Sequence, residues 1–162
     1  DMGCGWGLSS EFFAYSGLKV TALDINPAFV ELVGRRSKQR NFPITAVHGA
    51  FETIPEGPFD AVAYYECLHH AVRPWETLSI VFNALRSGGK LLLVGEPINR
   101  MWKHWGIRTD LLSVYCIRKF GWFESGWSDT FLRDCIARSG FEIRHFRDEG
   151  PLVGWVIVAE KP

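Results

Sequence analysis

The sequence predicts an α/β domain, a mostly parallel sheet covered by helices, and three observations carry that prediction. Short apolar runs rich in β-branched residues alternate along the chain with amphipathic segments of helical period. A glycine-rich turn, DMGCGWG at Asp1 to Gly7, stands directly before the first helical segment, where a strand would hand over to a helix. The chain closes with two strand-like runs joined by RDEGPLVG, the pattern of an antiparallel hairpin. Its 162 residues suit one domain with a single sizeable core.

Each element follows from local chemistry. Glycine at alternate positions 3, 5 and 7 weakens a strand and favours no helix, so the run belongs where backbone bends sharply or is closely approached. No apolar strand body precedes Asp1, and the turn therefore reads as the tail of a first strand truncated upstream. That reading predicts a gap or a forced closure between the neighbours this strand would separate, and a glycine loop lacking its anchor. A helix over Ser9 to Ser16 comes next, then strand LKVTALDI, Leu18 to Ile25. Pro27 opens a helix to about Gln39 with Asn26 as its N-cap. ITAVHGAF, Ile44 to Phe51, and FDAVAYYECL, Phe59 to Leu68, are strands, and Pro74 starts a helix expected to stop at Gly88-Gly89. GKLLLVGEP, Gly89 to Pro97, is a further strand, Thr130 to Ser139 a helix ended by Gly140, and FEIRHF and WVIVAEK are the terminal hairpin.

Composition excludes several classes. Lys plus Arg equal Asp plus Glu at 18 each, so no global field recruits nucleic acid or an anionic membrane. Cys4, Cys67, Cys116 and Cys135 show no CxxC spacing and read as reduced thiols of a cytoplasmic protein, not a disulfide framework or zinc site. No apolar stretch reaches the ~18 residues that span a bilayer.

The turn spacing Gly3-x-Gly5-x-Gly7 puts Leu8 where the dinucleotide fingerprint needs its last glycine, which disfavours a nicotinamide or flavin dinucleotide. Asp24, at the end of the second strand, suits the two ribose hydroxyls of an adenosine cofactor; its rival role is a carboxylate at the N-terminus of the helix behind Asn26-Pro27. Phe51 suits an adenine face, with core packing as an equal rival. The strand from Phe59 brings Tyr65, Glu66, His69 and His70 to the same sheet edge. His69 and His70 are the candidate general bases because imidazole titrates near neutrality; packing or capping is the alternative for each. His48, His104 and His145 have no ligand partners at useful spacing, and no metal is expected. Residues 98–129 carry Trp102, Lys103, His104, Trp105, Arg108, Tyr115, Arg118, Lys119, Phe120, Trp122, Phe123 and Trp127. Aromatics interleaved with bases suit a lid that stacks on a ring and pairs with an anion, although the same aromatics could be core.

Taken together, DMGCGWG, ALDIN, HGAFETIP, FDAVAYYECLHHA and NALRSGGKLLLVGEP resemble the class I S-adenosylmethionine-dependent methyltransferases, in particular the broad small-molecule branch with a DxGxGxG loop. The resemblance covers nearly the whole chain. It implies a Rossmann-like three-layer sandwich with strand order 3-2-1-4-5-7-6 and an antiparallel strand seven. It also implies S-adenosylmethionine as cofactor, with Asp1, Gly3 and Gly5 on its methionine side, Asp24 on the ribose and Phe51 on the adenine. Gly7, Ile25 and Glu66 complete the expected cofactor set. Many members carry Asp where this chain has Ala50, leaving Glu52 or a backbone carbonyl to hold the adenine amino group. The implied activity is methyl transfer to a small-molecule acceptor of glycan-related or lipid-linked type. A non-catalytic nucleotide-binding module and a nicotinamide-dependent oxidoreductase are the rival readings.

Overall fold

Leu8–Tyr15 forms helix α1 directly behind the glycine turn, and the following run narrows to strand β1, Val20–Asp24. In the computed structural model, which describes residues 1–162, Pro27–Arg40 is α2. Pro27 supplies a pre-set first-turn φ and Asn26 Oδ1 accepts the Ala28 amide at 3.0 Å. Ile44–His48 is β2, parallel to β1 with Val20 opposite Ile44. Phe59–Tyr65 is β3, Pro74–Ala84 is α3, and Leu85–Val94 is β4, parallel to β3. Trp105–Ile107 (β5) and Ser125–Trp127 (β6) form a separate antiparallel ribbon around α4, Leu111–Phe120. Asp129–Arg138 is α5, capped by Ser128, whose hydroxyl accepts the Phe131 amide. Glu142–Asp148 (β7) and Trp155–Glu160 (β8) make the expected hairpin, and β8 also lies antiparallel to β4.

Among the boundaries that differ from the sequence reading, three show what sets them. The helix from Pro74 stops at Ala84, not at the glycine pair: Leu85 is buried and opens β4 opposite Phe59, while Gly88 and Gly89 exchange backbone hydrogen bonds with Lys161. The strand expected to reach Phe51 ends at His48, because Thr53 Oγ1 folds back onto the Ala50 amide and carbonyl and closes a short turn over Phe51–Thr53. The strand expected to reach Leu68 ends at Tyr65, where a buried carboxylate, Glu96, gathers the next amides into a second short turn, Leu68–His70.

The core lies in two parts. Val62, Tyr64, Leu91, Leu93, Ile157 and Ala159 from the sheet pack with Leu78 and Val81 of α3 and Leu132 and Ile136 of α5. A smaller cluster joins Val20, Ala22 and Ile44 to Ala14 and Val33 on the first two helices.

The pair β2-β1 and the group β3-β4-β8-β7 are joined only through Met2, which bridges Leu23 on one side and Tyr64 on the other. The Asp1 amino nitrogen donates to Thr21 O and the Leu23 amide to Asp1 O, each at 2.9 Å, while the Met2 amide donates to Ala63 O at 2.9 Å. Asp1 and Met2 are thus paired like strand residues, but the sheet has six strands and not the seven that the resemblance implies. Behind them an apolar cleft of about 690 Å³ opens between β1 and β3, lined by Val20, Leu23, Ile44, Phe59 and Val62 among others. Along a strand, alternate residues turn both N–H and C=O to the same side. The bonds of Thr21 and Ala63 to Asp1 and Met2 therefore place the Thr21 amide, and the amide and carbonyl of Ala61, on the cleft side.

Candidate functional site

The carboxyl ends of β1, β2 and β3 gather the residues singled out from sequence. Gly3, Gly5 and Gly7 all have left-handed backbone, with φ of 63°, 50° and 80°. A Cβ on Gly3 would stand 3.0 Å from Cys67 Sγ and one on Gly7 only 2.6 Å from Val33 Cγ2, whereas one on Gly5 would meet nothing within 4 Å. The outer two glycines therefore serve close packing, and the middle one leaves open space before the turn. Asp24 is 7% exposed and fixed from two sides, Oδ2 accepting the Gly5 amide at 2.7 Å and Oδ1 the Asn26 amide at 2.8 Å. Each oxygen keeps a further lone pair. Asp24 thus bonds the amide ahead of α2, as its helix-terminal reading has it, and also grips the glycine turn. Ile25, beside it, is exposed. Asp1 Oδ2 accepts the hydroxyls of Ser9 and Ser10, which spends that oxygen on tying the turn to α1.

Phe51 is half-buried, its ring edge-on to Tyr64 at 5.3 Å, and Glu52 faces solvent. Glu66, exposed with φ 49°, is admitted by Gly95, since a Cβ there would lie 2.4 Å from Glu66 Cγ. The site residues read from sequence are brought to one edge, with Asp1 facing α1 and Phe51 leaning on the core.

The histidine pair sits deeper. Glu96, 2% exposed at the end of the β4 run, accepts the Cys67 and Leu68 amides through Oε1 at 3.1 and 2.9 Å, and the His69 amide through Oε2 at 3.1 Å. His69 Nδ1 stands 3.2 Å from the same Oε2; a carboxylate only accepts, so Nδ1 carries a proton. Its Nε2 faces Glu124 Oε2 at 3.6 Å. His70 Nδ1 donates to the Phe123 carbonyl at 2.9 Å. Burial, reinforced by the adjacent His69, lowers the His70 pKa from the ordinary imidazole value and favours its neutral form. Ser125 Oγ donates to the His69 carbonyl at 2.7 Å, so the turn after β3 is fastened to β6. Burial pushes the Cys67 thiol well above its usual range, which keeps it a packing group and not a nucleophile. His48 and His145 lie apart, on the Ile25 carbonyl and on Glu149.

The aromatics of the 98–129 segment divide into buried and exposed ones. Trp127 is fully buried, Trp102 packs over Gly126, and Trp105 lies against Phe123. Phe120 and Trp122 stack at 4.5 Å and stay largely exposed with Tyr115, Leu111 and Leu112. Sequence reasoning missed Glu96 and Glu124. Glu96 had a usable signal, an acid at the end of an apolar strand run like Asp24; Glu124 had none.

Comparison with known proteins agrees with this geometry. A family described as "Methyltransferase domain" matches residues 1–93. The ubiquinone biosynthesis O-methyltransferase of Xylella fastidiosa (strain 9a5c) is 36% identical over 104 residues, 62% of this chain and 41% of that protein. The chain thus spans less than half the length of this curated relative. An S-adenosylmethionine-dependent methyltransferase from Methanosarcina mazei superposes with a TM-score of 0.80 at 19% identity, over 99% of this chain and 90% of the other. The Burkholderia thailandensis 1,6-didemethyltoxoflavin-N1-methyltransferase, solved with S-adenosylhomocysteine bound, gives 0.76 at 18% identity, over 99% and 69%. No helix is long and apolar enough to cross a membrane.

Proposed function

Because this chain belongs to the methyltransferase domain family, we propose that its protein methylates a hydroxyl of a small apolar or lipid-linked acceptor, with S-adenosylmethionine as donor. The observation that carries the donor reading is Gly5: a left-handed glycine with open space before it, its amide held by the Asp24 carboxylate. When bound, the sulfonium of the donor supplies an activated methyl group for in-line displacement. What the chain contributes is alignment and exclusion of water. Asp24, already oriented by two amides, offers its remaining lone pairs to ribose hydroxyls, Ile25 gives the sugar an apolar floor, and the glycine turn lets backbone approach the methionine portion. Phe51 borders the adenine end, and Glu66 faces the donor from the β3 edge. The oxygen acceptor is supported by relatives named for ubiquinone O-methylation, and its apolar character by the exposed Leu111, Leu112, Phe120 and Trp122 of the 98–129 lid.

Asp24→Ala should weaken S-adenosylhomocysteine binding by about 1–3 kcal/mol, the worth of a charge-assisted hydrogen bond, as read by calorimetry on the full-length protein. Equal affinity of variant and parent would sink the ribose assignment. Binding of a nicotinamide dinucleotide in place of S-adenosylhomocysteine would favour the oxidoreductase reading, and donor binding with no methyl transfer to any hydroxylated quinone precursor would favour a non-catalytic module.

We infer also that residues preceding Asp1 in the full-length protein continue it as a strand filling the cleft between β1 and β3. The pairing of Asp1 and Met2 to both neighbours and the apolar lining behind them support this.

A further inference from the structure

Outside the cofactor edge, a buried carboxylate, Glu124, faces two histidines and an arginine. Its side chain is only 6% exposed, yet none of its neighbours comes within hydrogen-bonding distance: His69 Nε2 at 3.6 Å, His70 Nδ1 at 3.7 Å and Arg108 Nη1 at 3.8 Å. A buried carboxylate without a close partner is costly and is normally paired or bound to a metal. The side chains around it are chemically specific. With Nδ1–H directed at Glu96, Nε2 of His69 is turned toward Glu124 Oε2, and a cation between them, whether a proton or a metal ion, satisfies both. One nitrogen from each histidine and one Glu124 oxygen lie within 4.8 Å of one another. Arg108 does not neutralise the group well, since its Nε is committed to Asp110 at 3.0 Å.

We propose that His69, His70 and Glu124 bind a divalent transition-metal cation of the zinc class, joining the turn after β3 to the segment that leads into β6. Two imidazoles and one carboxylate select zinc, cobalt or iron over magnesium or calcium, which prefer all-oxygen shells. Bonds of about 2.0–2.2 Å would draw the three donor atoms to within roughly 3.5 Å of each other. The separations from Glu124 to His69 Nε2 and His70 Nδ1 are already 3.6 and 3.7 Å, so the main adjustment is chemical: His70, a half-buried side chain on a three-residue turn, must give up its Nδ1–H bond to the Phe123 carbonyl to offer a lone pair. Glu96 completes the site from behind, as an outer carboxylate that orients His69 and raises its basicity. An imidazole that gives its lone pair to a cation is no longer a proton acceptor, so these histidines exchange the general-base role read from sequence for a ligand role. Spacing alone predicted no metal because the third ligand arrives from the lid, far along the chain. The proposal stands apart from methyl transfer, since neither Asp24 nor the glycine turn takes part.

The test is titration of the purified, chelator-treated full-length protein with Zn²⁺ by calorimetry, and with Co²⁺ by visible absorption. One equivalent should bind, with Co²⁺ developing ligand-field bands. Glu124→Gln should weaken binding more than ~100-fold and abolish the bands, and Glu96→Gln should weaken it about 10–100-fold, the usual effect of losing an outer-shell partner. S-adenosylhomocysteine affinity, measured on the same samples, reports separately on the cofactor site. Should Glu124→Gln fail to fold, His70→Ala decides in its place. Absence of saturable binding by the parent overturns the proposal. So does a folded Glu124→Gln or His70→Ala that binds Zn²⁺ as the parent does, which would put the ion elsewhere.

Discussion

Glu96→Ala is expected to destabilise the full-length protein by about 3–5 kcal/mol and lower its Tm by roughly 10 °C, at the cost per degree usual for a domain of this size. The carboxylate is enclosed and accepts the amides of Cys67, Leu68 and His69 together with His69 Nδ1. Alanine would leave those donors facing a void. Each buried unsatisfied amide costs on the order of 1–3 kcal/mol, and water entering the space recovers part of the total. Glu96→Gln separates charge from shape. Its carbonyl oxygen can still accept the Cys67 and Leu68 amides, but its NH₂ would then oppose the His69 amide and Nδ1–H, donor against donor, for an intermediate loss. The check is thermal unfolding by circular dichroism. A Glu96→Ala protein melting within about 2 °C of the parent would show that the turn holds itself without the carboxylate, and that Glu66, at the start of the same turn, owes its place to Gly95 alone.

How much of this was legible in the sequence depends on the range of each interaction. The start of α2 was readable because its signal is local: Asn26, ahead of Pro27, acts on the amide two residues away. Helix α3 ran short of the expected glycine pair because its end is set by Leu85 entering the core opposite Phe59, a contact between distant segments. The strand ends at His48 and Tyr65 were overrun because the residues beyond them fold into short turns, one closed by Thr53 three residues away and the other by the distant Glu96. At the site, Asp24, Gly3, Gly5 and Gly7 announced themselves because the chemistry of a strand-to-helix turn is compressed into a few residues. The cluster around Glu124 could not, because its members come from a turn, a strand end and the 98–129 segment. The 98–129 segment is also where type and role part company: of its tryptophans, Trp127 is core and Trp122 is surface, and nothing in their spacing distinguishes them.

The cleft between β1 and β3 should prove to be strand-filled in the full-length protein, with an effect large enough to read amide by amide. Thr21 and Ala61 direct backbone groups into a space lined with Val20, Leu23, Phe59 and Val62, while Asp1 and Met2 hold strand-like bonds at its carboxyl end. A strand continuing backward from Asp1 would meet those groups on both sides in parallel register and bury the apolar lining. At about 1–3 kcal/mol for each backbone group otherwise left buried and unpaired, with a further ~25 cal/mol for every Å² of apolar surface covered, the gain rivals the ~5–15 kcal/mol that holds a whole domain together. Hydrogen exchange is the direct measurement. In the full-length protein the Thr21, Ala61 and Ala63 amides should exchange at least about three orders of magnitude more slowly than in a polypeptide of residues 1–162, where the same edges open by local fluctuation. Amides on the far side of the sheet, such as Ile157 in β8, should differ only by the change in global stability. Equal exchange at Thr21, Ala61 and Ala63 in the two proteins would mean that no strand enters the cleft, and that Met2 alone is the link between the two parts of the sheet.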